Sequence, residues 1–182
     1  MKINHQLFKP FMLALMVALP LTAQAEYKIQ NNGTEVLDTE TGLTWQRCQV
    51  GQKWDGNTCA GEAKKLTLDD AREQTGNGWR MPTIRELSSL IYCSSGNKMD
   101  SINVGDGGSP IKVRCDPDST SPTINTHAFP NTPASSVWSF SPAAYMQTPG
   151  MISLWFVYFG NGGSNEHFSG STHSMRLVRG KQ

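Results

Sequence analysis

Short apolar stretches separated by turn residues set the pattern of the first third of the chain. Val36-Leu37 and Leu43-Thr44-Trp45 flank the polar, glycine-closed stretch DTETG, and predict a strand pair within residues 26–47. Residues 48–66 carry no sustained period and are expected to form a loop. The period then lengthens. Thr67 stands before Leu68-Asp69-Asp70, where a hydroxyl can cap a helix and two carboxylates favour its first turn. That helix is expected to run to about Gln74 and to stop at Gly76. Pro82-Thr83-Ile84-Arg85-Glu86 starts a second helix, with Thr83 and Glu86 spaced as a capping box. Ile84, Leu87, Leu90 and Ile91 share one face of it.

Residues 94–135 are rich in Gly, Ser, Asn, Asp, Thr and Pro and read as a long loop, a length more often functional than idle. Apolar runs return at 137–140, 152–159 and 175–178, three further strands. Between the last two lies GNGGSNEHFSGSTHS, which reads as another loop. Two short helices against small antiparallel sheets, with long loops, define an α+β fold.

Composition changes the picture at the N-terminus. Lys2 and Lys9 precede the apolar residues 11–19, and Ala23-Gln24-Ala25 follows Pro20, the layout of a secretory signal peptide cut after Ala25. About nine apolar residues are too few to span a bilayer core, which takes roughly 20. Residues 26–182 are therefore expected to be a single exported domain, periplasmic, secreted or held at the cell surface. Losing Lys2 and Lys9 takes the basic residues from 16 to 14, against 15 acidic ones, a net charge of −1. Such a balance argues against nucleic acid as a partner.

The cysteines Cys48, Cys59, Cys93 and Cys115 are even in number, which in an exported chain points to disulfides. Of the three possible connectivities, Cys48–Cys59 with Cys93–Cys115 closes two local loops and is favoured. No CxxC pair and no histidine at finger spacing supports zinc.

Candidate chemistry is sparse. His127, His167 and His173 form neither HExxH nor a HxH pair. Asn165-Glu166-His167 is a polar triplet in a predicted loop, and Ser164, Ser169, Ser171 and Ser174 lie near His167 and His173 without a nucleophile-elbow motif. Asp100, Asn103 and Asp106 could supply oxygen ligands to a loop calcium, although their spacing misses the EF-hand pattern. No other cofactor is expected. Trp45, Trp138 and Trp155 lie in strand patterns and should be core, whereas Trp54 is the tryptophan expected at the surface. Lys112 and Arg114 alternate as in a strand, and Arg176, Arg179 and Lys181 cluster near the C-terminus. Either set could meet anionic ligands, though a solvated face is the commoner outcome. In GWRMPT, Trp79 is expected to fill core between the helices, and Arg80 to act as a structural cation pairing with Glu86 or Asp70.

The ordered set GLTWQRC (42–48), GQKWDGNTC (51–59), TLDDA (67–71), GWRMPTIRELSSLI (78–91), INTHAFPNT (124–132), VWSFSP (137–142), SLWFVYFGNGG (153–163) and MRLVRG (175–180) resembles the C-terminal domain of bacterial collagen-like adhesins, the Lcl C-terminal domain family. The segment around Arg80, and the closing MRLVR, also look like parts of the formylglycine-generating and sulfatase-modifying enzymes. Those enzymes share a C-type-lectin-like fold, so the resemblance implies that fold here. They depend on a cysteine pair near the last strand, and residues 116–182 contain no cysteine. A Glu-Pro-Asn or Gln-Pro-Asp triplet, usual in calcium-dependent lectins, is likewise absent from the sequence.

The resemblance thus implies an exported, non-enzymatic binding domain of adhesion type, taking a glycan or a protein. Loops 96–115 and 160–174 are the expected recognition surfaces, with Trp54, Lys112, Arg114, Asn165, Glu166 and His167 as candidate contacts. The alternatives are a hydrolase using His167 or His173, and a structural subunit of a surface assembly, for which a homo-oligomer is the expected form.

Overall fold

Three strands, not a pair, open the chain. The computed structural model describes residues 27–99, 114–143 and 152–180. Strand β1 (Tyr27–Gln30) pairs antiparallel with β2 (Glu35–Asp38), and β2 with β3 (Thr44–Gln46). The β1–β2 turn is left-handed at Asn31, Asn32 and Gly33, with φ of 47°, 54° and 88°, a region that asparagine tolerates and glycine favours. The β2–β3 turn is the expected DTETG: Asp38 Oδ1 accepts from the amides of Glu40 at 3.0 Å and Thr41 at 3.3 Å. The last strand, β11 (Val178–Arg179), pairs with β3, which gives the sheet order β1-β2-β3-β11.

Two disulfides, Cys48–Cys59 and Cys93–Cys115, have the expected connectivity. The first ties the end of β3 to a small hairpin, β4 (Lys53–Trp54) with β5 (Cys59–Ala60). The second closes a hairpin of β6 (Lys98–Met99) with β7 (Arg114–Cys115). Each constrains the unfolded chain by roughly 3 kcal/mol in the loop-entropy picture.

Helix α1 (Leu68–Glu73) is capped by Thr67, whose hydroxyl accepts from the Asp70 amide, while the Asp70 carboxylate accepts from the Thr67 amide in return. Helix α2 (Ile84–Ser89) repeats the device with Thr83 and Glu86. Ile84, Leu87, Leu90 and Ile91 are all buried, as their spacing predicts. Arg80 makes a bidentate pair with Glu86, at 2.8 and 2.6 Å, so the expected structural cation is present. Trp79 differs from expectation: it is half-buried and only leans on the core, so it does not fill the space between the helices.

The remaining sheet, ordered β10-β9-β8, divides the core. It consists of β8 (Ser136–Pro142), β9 (Ser153–Tyr158) and β10 (Gly163–Phe168). Alternate residues of β9 enter different clusters. Trp155 and Val157 pack with α2, β2 and β3, whereas Leu154 and Phe156 pack with α1, Met175 and Leu177. A strand covered on both faces carries a nearly continuous apolar run, which is why SLWFVY does not alternate with polar residues.

Two loop expectations are corrected. Residues 160–174 are not one loop: 163–168 form the edge strand β10, paired residue by residue with β9. Strand pairing here is set by backbone bonds to an apolar neighbour, so polar side chains do not prevent it. Residues 94–135 are not all loop either: β6 and β7 pair within them, and Ile124, Ala128 and Phe129 are buried in the core. No helix among the described residues is long and apolar enough to cross a membrane. The two disulfides are consistent with an exported protein.

Candidate binding cleft

A cleft of about 440 Å³ opens where the β3–β4 connection meets the end of α1 and the final strand. Trp54 and Trp79 both line it, together with Gln46, Gln49, Gln52 and Glu35.

The β3–β4 connection is pinned from several sides. Arg47 is buried and its guanidinium donates to the carbonyls of Ala128 at 3.0 Å, Gly33 at 3.3 Å and His127 at 3.1 Å. The same group lies 4.0 Å from the centre of the Trp54 ring, a cation–π contact that fixes the indole. Gly33 leaves room for that indole: a Cβ there would stand 2.5 Å from Trp54 Nε1. Gln52 donates to the carbonyl of Asn131 at 3.0 Å, and Asn131 donates to that of Cys59 at 2.7 Å. In the β4–β5 turn, Asp55 accepts from the amides of Thr58 and Asn57, both at 2.8 Å, and these donors hold its carboxyl below the usual range.

On the opposite wall, the Arg179 guanidinium lies 4.7 Å from the centre of the Trp79 ring and 2.5 Å from the Glu35 carboxylate. Glu35 also accepts from Asn31 at 3.0 Å. Both arginines at the cleft are therefore committed to protein partners. Gln49 is not. It is 1% exposed, and neither its amide oxygen nor its amide nitrogen has a hydrogen-bond partner among the described residues. Buried amides are rarely left so, because desolvation without a partner costs about 1–3 kcal/mol.

The C-terminal basic cluster resolves into separate structural roles, and the reading of it as a solvated face is corrected for Arg176. Arg176 is 1% exposed. It donates to the carbonyls of Gln46 at 2.8 Å and of Arg47, and to the Thr132 hydroxyl at 2.8 Å, and it stacks 4.7 Å from the centre of the Phe129 ring. Burial draws its pKa down to about 9, so it remains charged at neutral pH. Arg179 is the cleft arginine paired with Glu35. Lys181 lies outside the described residues.

The other predicted contacts scatter. Trp54 is at the cleft. Lys112, and the possible calcium ligands Asp100, Asn103 and Asp106, lie outside the described residues. Arg114 is exposed on β7, beside a smaller hollow of about 300 Å³ that it shares with Asp116 and Asn161. There the Cys115 amide donates to the Asn161 carbonyl at 2.9 Å, so the ends of the two expected recognition segments do meet.

Strand geometry splits the polar triplet. Asn165 and His167 are exposed, while Glu166 points to the other face and is half-buried. His167 instead meets His173: Nδ1 of the first lies 3.0 Å from Nε2 of the second, and their rings stack at 20°. One of these nitrogens donates and the other accepts. His173 is buried against Trp138 and Phe156. Burial, with His167 and Lys65 nearby, lowers its pKa to about 4, so it is neutral at pH 7. Ser174 is fully buried and accepts from Lys65 at 2.9 Å. His127 is exposed. Among the described residues no group of three or more His, Cys, Asp or Glu side chains converges as a metal site.

Sequence reasoning missed Gln49 and placed Trp79 in the core. The local signal was WQRCQVGQKW, which crowds aromatics, glutamines and an arginine around one disulfide cysteine. A disulfide-tied α+β domain with an aromatic and amide-lined cleft is the class that fold and site define. The Lcl C-terminal domain model matches residues 34–179, and the chain belongs to that family. Membership suggests a surface, adhesin-type role. No curated protein and no solved structure matches the chain.

Proposed function

We propose that this protein is an exported, non-enzymatic binding domain of adhesion type, on a C-type-lectin-like scaffold, whose ligand is a glycan or a surface protein. It is released by cleavage after Ala25, and it holds its ligand in the Trp54–Trp79 cleft. The observation that carries this reading is the cleft itself: two fixed indoles over a polar floor, on a frame anchored by Arg47, Arg176 and the Cys48–Cys59 disulfide. Concave sites with aromatic walls and a few placed polar groups are the usual form of a ligand site.

The test is binding of the purified protein to arrays of glycans and of surface proteins, alongside Trp54→Ala and Trp79→Leu variants. Saturable binding that both variants weaken is expected. Binding that both variants leave intact would place the site elsewhere. Absence of any ligand, with turnover of a substrate lost in His167→Ala and His173→Ala, would make the protein an enzyme. Assembly into a defined oligomer by light scattering, with no ligand, would make it a structural subunit.

A further inference from the structure

Among the described residues several buried polar atoms lack a partner, and in Gln49, which lines the cleft, both side-chain amide atoms do. Gln49 is 1% exposed. Its own backbone amide is served by Gln52 Oε1 at 3.2 Å, so the local chain is well held while the side chain is not. A primary amide presents donors and an acceptor together. The small group that complements both is a hydroxyl, which accepts from the NH₂ and donates to the carbonyl.

The surrounding charges narrow the ligand further. A polyanion needs guanidinium or ammonium groups that are available to it. Arg47 is bonded to three carbonyls and stacked on Trp54. Arg179 is paired with Glu35 and stacked on Trp79. Glu35 also lines the cleft, and its carboxylate is spent on Arg179, so this pair offers an anion no free positive charge. Lys53, exposed at the rim, is the remaining cation lining the cleft. Two indoles with a hydroxyl-complementary amide between their elements suit a ring that has an apolar C–H face and an equatorial rim of hydroxyls.

We infer that the Trp54–Trp79 cleft takes an uncharged saccharide unit, with a ring face against an indole and a ring hydroxyl bonded to the Gln49 amide. The inference rests on the binding-domain reading above. The amide atoms are nearly sealed from solvent, so contact requires the Gln49 side chain to turn outward about its own torsions. It breaks no hydrogen bond in doing so. A site that leaves a buried polar group unpaired without its ligand discriminates strongly against analogues lacking the hydroxyl.

The experiment is titration of the protein with neutral gluco-, manno- and chito-oligosaccharides, and separately with sulfated oligosaccharides, followed by tryptophan fluorescence. Each is run at physiological salt and at about 1 M, where the Debye length falls to about 3 Å. Saturable binding of a neutral oligosaccharide is expected, with affinity unchanged by salt. Gln49→Met, which keeps the side-chain length without the amide, should weaken it about tenfold or more. The same variant should unfold at the same or a higher temperature, because it removes a buried unpaired amide. Binding confined to sulfated ligands and lost at high salt overturns the saccharide inference and leaves the binding-domain reading standing. So does neutral binding that Gln49→Met leaves untouched. Failure of every saccharide overturns the inference as well, and the protein array then decides whether the wider reading survives.

Discussion

The His167–His173 pair and the Trp54–Trp79 cleft are two places among the described residues where polar groups meet aromatic walls, and they are complete to different degrees. At the histidines, the two facing ring nitrogens bond each other, and Trp138 and Phe156 close around His173. At the cleft, the arginines are bonded but the Gln49 amide is not. A satisfied buried polar cluster rigidifies its surroundings, whereas an unsatisfied one stores an unmet interaction. The difference teaches that clustered titratable residues can spend their polar atoms on one another, whereas an orphaned amide keeps its bonding capacity. Residues 173–178 run from one place to the other, so a single segment carries His173, Arg176 and the cleft's Leu177.

That shared segment offers the severest test of the contrast. Arg176→Ala removes a buried side chain and leaves the Gln46 and Arg47 carbonyls and the Thr132 hydroxyl without their donor. Urea unfolding should show a loss of about 3 kcal/mol or more. A loss confined to a few tenths would mean that the cleft frame does not depend on this cation.

Gly33→Ala acts on one wall only. It forces a side chain into a φ of 88° and brings a Cβ to 2.5 Å from Trp54 Nε1. A destabilisation of about 1–3 kcal/mol is expected, with altered tryptophan fluorescence. Unchanged fluorescence would mean that Trp54 is not held against this turn.

Arg80 follows the cleft's Trp79 but turns its side chain to Glu86, and Arg80→Ala should lower stability by about 1–2 kcal/mol while leaving ligand affinity intact. Burial pushes the Glu86 carboxyl up, but hydrogen bonds from Arg80 and from the Thr83 amide outweigh it and hold the pKa below its ordinary 4.5. Its contribution is thus full above that value and is lost as pH falls through the lower folded-state pKa. Lost affinity without lost stability would make Arg80 a binding residue.

The smallest effect separates the histidine pair from the cleft by pH. His173 has a folded-state pKa of about 4 against an ordinary 6.5, so the unfolded chain takes up its proton first. Its contribution is complete above 6.5 and is lost as pH falls from there toward 4. The melting temperature should decline across that window, and His173→Phe should flatten the decline. An unchanged slope in that variant would show that other groups set the acid sensitivity.

Local chemistry made much of the frame legible. Both helix caps, the DTETG turn, the disulfide connectivity and the Arg80–Glu86 pair follow from residues a few positions apart, or from strong pairwise preferences. The site was less legible because its parts are distant in sequence. Gln49, Trp79 and Glu35 share a cleft only because β11 pairs with β3 and brings the chain's end beside its beginning. Strand β10 was hidden for a related reason: GSNEHF pairs through its backbone with the apolar β9, and side-chain pattern does not report that.

The sequence by itself determined where helices begin and which apolar runs become buried strands, and it favoured the cysteine pairing that closes local loops, since these depend on nearby residues and side-chain period. Tertiary structure alone decided that Arg176 is buried, that His167 meets His173, and that the Gln49 amide is left without a partner. Those outcomes depend on which distant groups arrive beside a side chain, and hydrogen-bond satisfaction is a property of that arrival.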